Sequence, residues 1–237
     1  MSQKIISSLL LFLFIHSTQF GQSTTSFFDS TDAFLKSYVS KGKVNYAAIH
    51  ENPQSLDLLL QQAKTLSVSK SESTNYQAFW INAYNLAVIK GIVSHYPIKS
   101  PLDKSGFFDR ITYELAGEKL TLNDIENKKL RAVFGDARFH FVLVCGAKGC
   151  PPLLSEAYKP ETLEIQLENQ TSKALNSSFI RVEEKKVLLS EIFKWYKEDF
   201  VKNGTEIDFI NRYRNEKINP NLKIDYYPYN WQLNIVN

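Results

Sequence analysis

The chain has 237 residues, of which 43% are apolar, 13% are aromatic and 22% are charged, and its formal net charge is +3. A chain of this length and apolar content can form a full hydrophobic core, and its composition excludes a largely disordered protein. The lysines and arginines are spread along the sequence rather than clustered. The composition therefore gives no support for a nucleic-acid partner.

The first residues have the pattern of an export signal. Lys4 supplies a short positive region, and residues 5–15 form an apolar run that is too short for a permanent membrane anchor. Gly21 is a small residue suited to cleavage. We therefore expect a signal peptide over residues 1–21 and a mature chain that begins near Gln22 and is exported, periplasmic or secreted. The rest of the sequence has no apolar stretch long enough to cross a membrane, so we expect no permanent membrane anchor.

The first half of the sequence is predicted to be mainly helical. Apolar residues at helical spacing predict one helix that begins at Asp29 and another that begins after Pro53. A short extended piece is expected between them, at residues 44–47. Residues 76–95 are apolar on nearly all sides, which predicts a helix that runs through the core.

The second half mixes strands and helices. The expected elements are, in chain order, a hairpin of residues 111–115 and 118–122, a helix capped by Thr121 and Asp124, a buried strand at 139–145, a helix near 161–175, a hairpin of 179–182 and 187–189, helices that begin at Ser190 and Thr205, and a strand at 222–227. Because these elements show no regular βαβ repeat, we expect an α+β fold with helices packed on a mixed or antiparallel sheet. Residues 22–237 are expected to form a single compact domain.

Two asparagines lie on the predicted core helix. Asn82 and Asn85 are three residues apart and therefore face the same side of it. A buried amide without partners costs about 1–3 kcal/mol, so both side chains need hydrogen bonds. Either they tie the helix to loop backbone, or one of them orients a catalytic imidazole or donates to an oxyanion.

Glu126 lies at the edge of the apolar face of the helix that follows Thr121. Partial burial would suit this carboxyl group to general acid or base catalysis. An ion pair with Arg131, Arg138 or a lysine is the more common role for such a residue. The ion pair is the preferred interpretation unless a histidine lies close to Glu126.

Both cysteines and one histidine lie in RFHFVLVCGAKGCPPL, residues 138–153. In a regular strand His140 and Cys145 point to opposite faces, so we expect Cys145 to be a small buried hydrophobic residue. Cys150 follows a flexible loop, where a short helix N-terminus and Lys148 would stabilise its thiolate. If the loop folds back, Cys150 comes within reach of His140. The alternative is a Cys145–Cys150 disulfide, which export permits, although the short loop gives it little entropic gain.

Metal-binding patterns are missing from the sequence. His50, His95 and His140 show no paired ligand spacing, and no glycine-rich loop is present that would hold a phosphate. We therefore expect no metal and no other cofactor.

Several motifs occur together in one order: FWINAYNLAVIKGI at 79–92, LTLNDIENKKLR at 120–131 and RFHFVLVCGAKGCPPL at 138–153, flanked by VSKGKVNYAAI at 39–49 and NWQLN at 230–234. They resemble the domain-of-unknown-function family 547 (DUF547), in its bacterial exported members, with core motifs over 79–153. The resemblance implies an exported bacterial protein of a family with no established reaction. The residue types would suit a papain- or transglutaminase-like thiol site, by analogy alone.

One function that fits these residues is a thiol-dependent hydrolase or acyl transferase acting on amide or ester bonds in the cell envelope. Its candidate catalytic residues are Cys150 as nucleophile, His140 as base, and Glu126 or Asn82 as the group that orients the base.

The other function is a non-catalytic module that binds a glycan or a peptide, with structural cysteines and with Trp and Tyr side chains lining a groove. In either case the ligand is a small molecule, a peptide or a glycan, and we expect Asn85, Trp80 and Arg138 to contact it. A thiol-redox protein is a weaker third alternative, because CGAKGC does not have the CxxC spacing.

Overall fold

The structure is a computed structural model and describes residues 23–236. The predicted signal peptide at 1–21 lies outside the described residues. Between residues 23 and 236, no helix combines the length and the apolar character needed to cross a membrane. Helices and small sheets alternate along the chain, which confirms the α+β class.

The first part of the described chain is helical around one buried helix. Its elements are α1 (Thr24–Tyr38), the two-residue strands β1 (Val39–Ser40) and β2 (Lys43–Val44), α2 (Tyr46–Glu51), α3 (Gln54–Thr65) and α4 (Ser73–Val93). The extended piece expected at 44–47 is wrong beyond residue 44. The side chain of Asn45 accepts a hydrogen bond from the backbone N–H of Ala48 and so starts α2 there.

Helix α4 runs through the core as predicted. Sixteen of its 21 residues are buried, and α1, α2 and α3 pack around it. Trp80, Tyr84 and Asn85 are only 1%, 3% and 2% exposed, in agreement with the prediction that this helix runs through the core. A helix that is apolar on all sides is stable only when other elements cover every side.

The middle of the chain builds a hairpin and an interrupted helix. After a short 3-10 helix (Pro101–Asp103), the elements are the antiparallel strands β3 (Thr112–Leu115) and β4 (Glu118–Thr121), helix α5 (Leu122–Asp124), a π-helical segment (Ile125–Arg131) and helix α6 (Ala132–Phe134). Thr121 and Asp124 form the predicted capping box at the start of α5. π-Helical turns are rare and frequently lie at functional sites.

The buried strand predicted at 139–145 is wrong. Ala137–Phe141 form a 3-10 helix, which the side chain of Asp136 caps by accepting from the backbone N–H of Arg138. Residues 142–145 form no strand. A short apolar run indicates burial but does not distinguish a strand from a helical turn. The alternation that placed His140 and Cys145 on opposite faces therefore does not apply.

The last third of the chain forms a second group of elements. They are α7 (Leu163–Leu175), β5 (Ile180–Val182), β6 (Lys186–Ser190), α8 (Glu191–Trp195), α9 (Lys197–Phe200), α10 (Glu206–Tyr213) and β7 (Lys223–Tyr227). Strand β6 pairs antiparallel with β5 and parallel with β7, so the sheet is mixed. Ser190 caps α8, and Thr205 forms a capping box with Asp208 before α10, both as predicted.

Two hydrophobic cores result from this arrangement. One surrounds α4, and the other is formed mainly by the elements that follow α7. Cys150 packs against both cores. The final segment returns to the first core, where Asn234 accepts a hydrogen bond from the N–H of Val44 and Val236 donates one to its carbonyl.

Candidate functional site

A cavity of about 310 Å³ is lined by residues of both cores. Its polar wall consists of Tyr84, Asn123, Glu126, His140, Tyr196, Tyr229 and the two cysteines. Glu126, His140 and Cys150, which are three of the four predicted catalytic residues, therefore meet at one cavity although they are far apart in sequence. The fourth, Asn82, does not line it.

His140 is held by a carboxylate at one ring nitrogen. Its Nε2 lies 2.8 Å from Oδ2 of Asp199, and its ring stacks on that of Tyr196 with 4.0 Å between centroids. An ionised carboxylate only accepts hydrogen bonds, so Nε2 carries the hydrogen of this contact. Within residues 23–236, no protein group forms a hydrogen bond with Nδ1. The imidazole is thus oriented by Asp199 and keeps its second nitrogen for a ligand.

Asp199 lies on α9 and is surrounded by donors. Arg131 donates from Nε to the same Oδ2 at 2.7 Å, and Lys202 lies 3.3 Å from Oδ1. The hydrogen bonds from His140 and from Arg131 hold the pKa of Asp199 well below its ordinary value of 3.8, against the opposing effect of burial. Asp199 therefore stays ionised at neutral pH. The sequence analysis missed it because 59 residues separate it from His140.

Glu126 is placed by the π-helical segment and is only 7% exposed. Its Oε1 is buried without a hydrogen-bond partner. The ion pair expected with Arg131 or Arg138 is not formed, because Arg131 pairs with Asp199 and Arg138 with Asp136 and Glu164. Burial and then the nearby Glu126 carboxylate raise the pKa of Tyr196, so this hydroxyl stays protonated beside it.

The two cysteines form a disulfide, which decides between the alternatives left open by the sequence. Both are half-buried and line the cavity, so Cys145 is not the fully buried residue that was expected. The Tyr229 hydroxyl lies 2.9 Å from Sγ of Cys150 and 3.0 Å from Sγ of Cys145. The backbone N–H of Cys145 donates to Sγ of Cys150 at 3.0 Å. No helix follows Cys150 at residues 151–154, so the expected helix N-terminus is absent there.

The loop between the cysteines is fixed by the C-terminal segment rather than flexible. The N–H groups of Lys148 and Gly149 donate to the carbonyls of Gln232 and Asn230, at 2.7 and 2.8 Å. A Cβ on Gly149 would lie only 2.9 Å from ring atoms of Tyr229, so glycine permits this close approach. The CGAKGC and NWQLN motifs are therefore neighbours in space.

Aromatic side chains form another part of the lining, which shares Tyr229 with the polar wall. Trp195, Tyr229 and Trp231 contact one another, with ring centroids 4.8–5.8 Å apart, and Phe108 lies 6.2 Å from Trp231. Trp195 is 45% exposed. We refer to these four residues as the aromatic wall. The sequence indicated abundant Trp and Tyr but not which of them converge.

The asparagines of α4 have structural contacts. Asn82 donates from Nδ2 to the carbonyls of Ala78 and Tyr158 and accepts from the N–H of Tyr158. Asn85 donates to the carbonyl of Val142 and accepts from the N–H of Val144. Both therefore tie the helix to loop backbone, and Asn85 fixes the segment that connects His140 to Cys145.

The other two residues expected to contact a ligand also lie away from the cavity. Trp80 is buried in the first core, with Nζ of Lys129 at 5.3 Å from its ring. Arg138 is engaged in its ion pairs with Asp136 and Glu164. As for metals, residues 23–236 contain no cluster of three or more His, Cys, Asp or Glu side chains suited to hold an ion.

The motifs around the cavity coincide with a known family model. Residues 68–175 match DUF547. The description of this family is "protein of unknown function". The match supports the resemblance that the sequence motifs indicated. The DUF547 region contains Glu126, His140 and both cysteines, whereas Asp199 and Trp195 lie beyond it. No curated protein and no solved structure matches the chain.

Proposed function

We propose that this protein is a thiol-dependent hydrolase or acyl transferase for amide or ester bonds in the cell envelope, active once the Cys145–Cys150 disulfide is reduced. The observation that carries the proposal is that His140, oriented by Asp199, lines the same cavity as both sulfur atoms. Acyl transfer through a thioester requires a thiol, a base and a group that orients the base. Asp199 fills the orienting role for which Glu126 or Asn82 was expected.

Cys150 is the better nucleophile of the two cysteines. Within residues 23–236, its sulfur is approached by two donors, the N–H of Cys145 and the hydroxyl of Tyr229, whereas Sγ of Cys145 has the Tyr229 hydroxyl alone. Hydrogen bonds to a thiolate favour the charged form over the neutral thiol. Reduction of the disulfide should therefore leave the negative charge preferentially on Cys150.

The reaction balances as follows. A dithiol reductant gives two electrons and two protons to the disulfide and becomes a disulfide itself. Nδ1 of His140 then takes the proton of Cys150 as its sulfur bonds to the substrate carbonyl carbon. When the tetrahedral intermediate collapses, the bond to the leaving nitrogen or oxygen breaks and His140 returns the proton to that atom. Water or another nucleophile cleaves the thioester by the same proton transfers.

A second candidate function is the non-catalytic binding of a glycan or peptide. It is favoured by the disulfide, which occupies both sulfurs, and by the aromatic wall, which offers flat apolar faces. In this function the disulfide holds Tyr229 in the wall and His140 contributes only hydrogen bonding.

Alkylation of the reduced protein separates the two functions without knowledge of the substrate. With dithiothreitol present, we expect iodoacetamide to modify Cys150 faster than Cys145 near neutral pH, and Asp199→Asn and His140→Ala to slow the modification of Cys150. Cys145→Ala is the matched control and should keep the fast reaction. Peptide mass spectrometry measures both sites. Equal rates at the two cysteines, unchanged in the Asp199→Asn variant, would contradict the catalytic proposal and favour the binding module.

We also infer that the chain is exported. The basis is the positive, apolar and small-residue pattern of residues 1–21. N-terminal sequencing of the protein from its native cells should begin near Gln22, and a chain that still begins at Met1 would contradict export.

A further inference from the structure

Glu126 is unusual among the acidic residues of the described chain. Between residues 23 and 236, the buried acidic side chains are Glu126 and Glu206. Glu206 has partners, since its Oε1 lies 3.3 Å from Nζ of Lys197 and 3.3 Å from the hydroxyl of Tyr226. Glu126 has no ion pair within that range, and its Oε1 has no hydrogen-bond partner. The two glutamates are thus both buried, but Glu206 has a lysine partner, whereas residues 23–236 offer Glu126 only the neutral hydroxyl of Tyr196.

An unpaired buried carboxylate is costly. Moving a charge out of water without a partner costs several kcal/mol, and buried polar groups in folded proteins are nearly always paired. Oε1 has almost no accessible surface, but Glu126 lines the cavity, so a molecule bound there can reach the carboxyl group at its other oxygen. A cationic donor from a ligand would give this carboxyl group the ion pair that residues 23–236 do not supply.

The neighbouring basic residues are all committed elsewhere. Lys128, Lys129 and Arg131 belong to the same π-helical segment as Glu126, and they pair with Asp124, Glu118 and Asp199 respectively. His140, the remaining basic group of the lining, is held at Nε2 by the Asp199 carboxylate. Among the described residues, therefore, no cation forms an ion pair with the Glu126 carboxyl group in this cavity.

The rest of the lining suits a cation with an apolar body. Tyr84 and the aromatic wall line the space, and aromatic faces attract cations, most strongly where water is excluded. Burial raises the pKa of Tyr84 and Tyr196, so both hydroxyls stay neutral and add no further negative charge beside Glu126. The volume of about 310 Å³ is sufficient for a group the size of one amino acid.

We propose that this cavity binds a primary ammonium group, which donates to the carboxyl group of Glu126 while the carbon skeleton of the ligand lies against the aromatic wall. In the enzymatic role this makes the substrate or the acyl acceptor an amine. That assignment rests on the proposed acyl-transfer function, whereas the binding itself needs no thiol. A sugar would also bring donors, but its hydroxyl groups would leave the carboxylate charge unneutralised.

Binding to the oxidised protein tests this proposal separately from catalysis. Benzylamine is the probe, and benzyl alcohol is a neutral compound of nearly the same size. With the full mature chain, calorimetry and tryptophan fluorescence should show benzylamine binding at least about tenfold more tightly than benzyl alcohol. Glu126→Gln should remove this difference by weakening benzylamine alone. Glu206→Gln is the matched control and should keep the preference for the amine.

Several outcomes would overturn the proposal. They are equal affinity of the wild-type protein for the amine and the alcohol, no benzylamine binding up to millimolar concentration, and an amine affinity that Glu126→Gln leaves unchanged. Tighter binding of methyl β-glucoside than of benzylamine would assign the site to hydroxyl ligands instead. If Glu126→Gln fails to fold, the comparison of amine and alcohol on the wild-type protein still decides. Selective alkylation of Cys150 together with absent amine binding would refute this proposal and leave the thiol function intact.

Discussion

The face of α4 that carries the two asparagines and the wall of the cavity that carries Glu126 both place polar groups in the protein interior. On α4, both amide groups of Asn82 and Asn85 are hydrogen-bonded to backbone. In the cavity, Oε1 of Glu126 is buried without a partner, and Nδ1 of His140 has none within residues 23–236. Burial alone therefore does not distinguish the two regions. The amides that the chain satisfies stabilise the fold, whereas Glu126 and His140 line a cavity that a ligand can enter.

The largest expected effect is a loss of stability when the core around α4 is disrupted. Trp80→Ala should lower the free energy of unfolding by about 3–5 kcal/mol, because it empties a large, fully enclosed volume beside α4. Trp195→Ala is the matched control in the cavity wall, where the side chain is 45% exposed, and should cost about 1 kcal/mol or less. Urea denaturation of both variants measures the difference. A midpoint for Trp80→Ala equal to that of the wild type would contradict the assignment of α4 as the core.

Asn85→Ala tests whether the side-chain amides of α4 stabilise the fold. It leaves the carbonyl of Val142 and the N–H of Val144 buried without partners, which costs about 1–3 kcal/mol for each unsatisfied group. Asn221→Ala, at an exposed position, should change the stability little. The same urea titration compares them, and similar midpoints for the two variants would remove the structural role of Asn85.

Asp199→Asn tests the carboxylate that accepts hydrogen bonds from His140 and Arg131. His140 and Arg131 lower the pKa of Asp199 in the folded protein, so its contribution to stability is complete above the unfolded value near 3.8 and is lost as pH falls below it. The variant should therefore be less stable than the wild type at pH 7, by less than Asn85→Ala because the ion cluster is partly accessible to water. The difference should shrink as pH falls from 4 toward 2. Thermal unfolding across this range measures it, and a pH-independent difference would contradict the ionised pair.

The smallest expected effect falls on Glu126. Within residues 23–236 the Glu126 carboxylate has no ion pair. Replacing it by a neutral amide removes an unfavourable buried charge, so Glu126→Gln should leave the stability unchanged within about 0.5 kcal/mol or raise it. Glu206→Gln, which weakens the contact with Lys197, should instead lower the stability by about 1 kcal/mol. Denaturation at pH 7 gives both values. A large loss in the Glu126 variant alone would show that the protein itself uses this carboxylate.

Much of the fold could be predicted because its signals are local. The apolar run of α4, the capping boxes at Thr121 and Thr205 and the hairpin of β3 and β4 each depend on residues a few positions apart. The prediction for 139–145 failed because an apolar run specifies burial without specifying the backbone conformation. At this position an Asp136 cap and the contacts of Asn85 select a 3-10 turn.

The residues of the candidate site were likewise predicted only in part. Residue chemistry was enough to select Glu126, His140 and Cys150, which the structure brings to one cavity. It did not reveal Asp199 or the aromatic wall, since those depend on how α9 and the C-terminal segment dock against the 3-10 helix. It also assigned Arg138, Trp80 and the asparagines to the site, because their partners in the folded chain were not visible.

The sequence by itself determined where most helices and strands form and which side chains are buried. Helix caps and hydrophobic periodicity depend on residues within about four positions of each other. Only the tertiary structure decided which buried polar groups find partners. Asn82 meets backbone 76 residues away and His140 meets a carboxylate 59 residues away, whereas Oε1 of Glu126 meets none. Such partners come from segments brought together by packing, so the distinction between a structural amide and an available carboxylate arises only when the two cores assemble around the cavity.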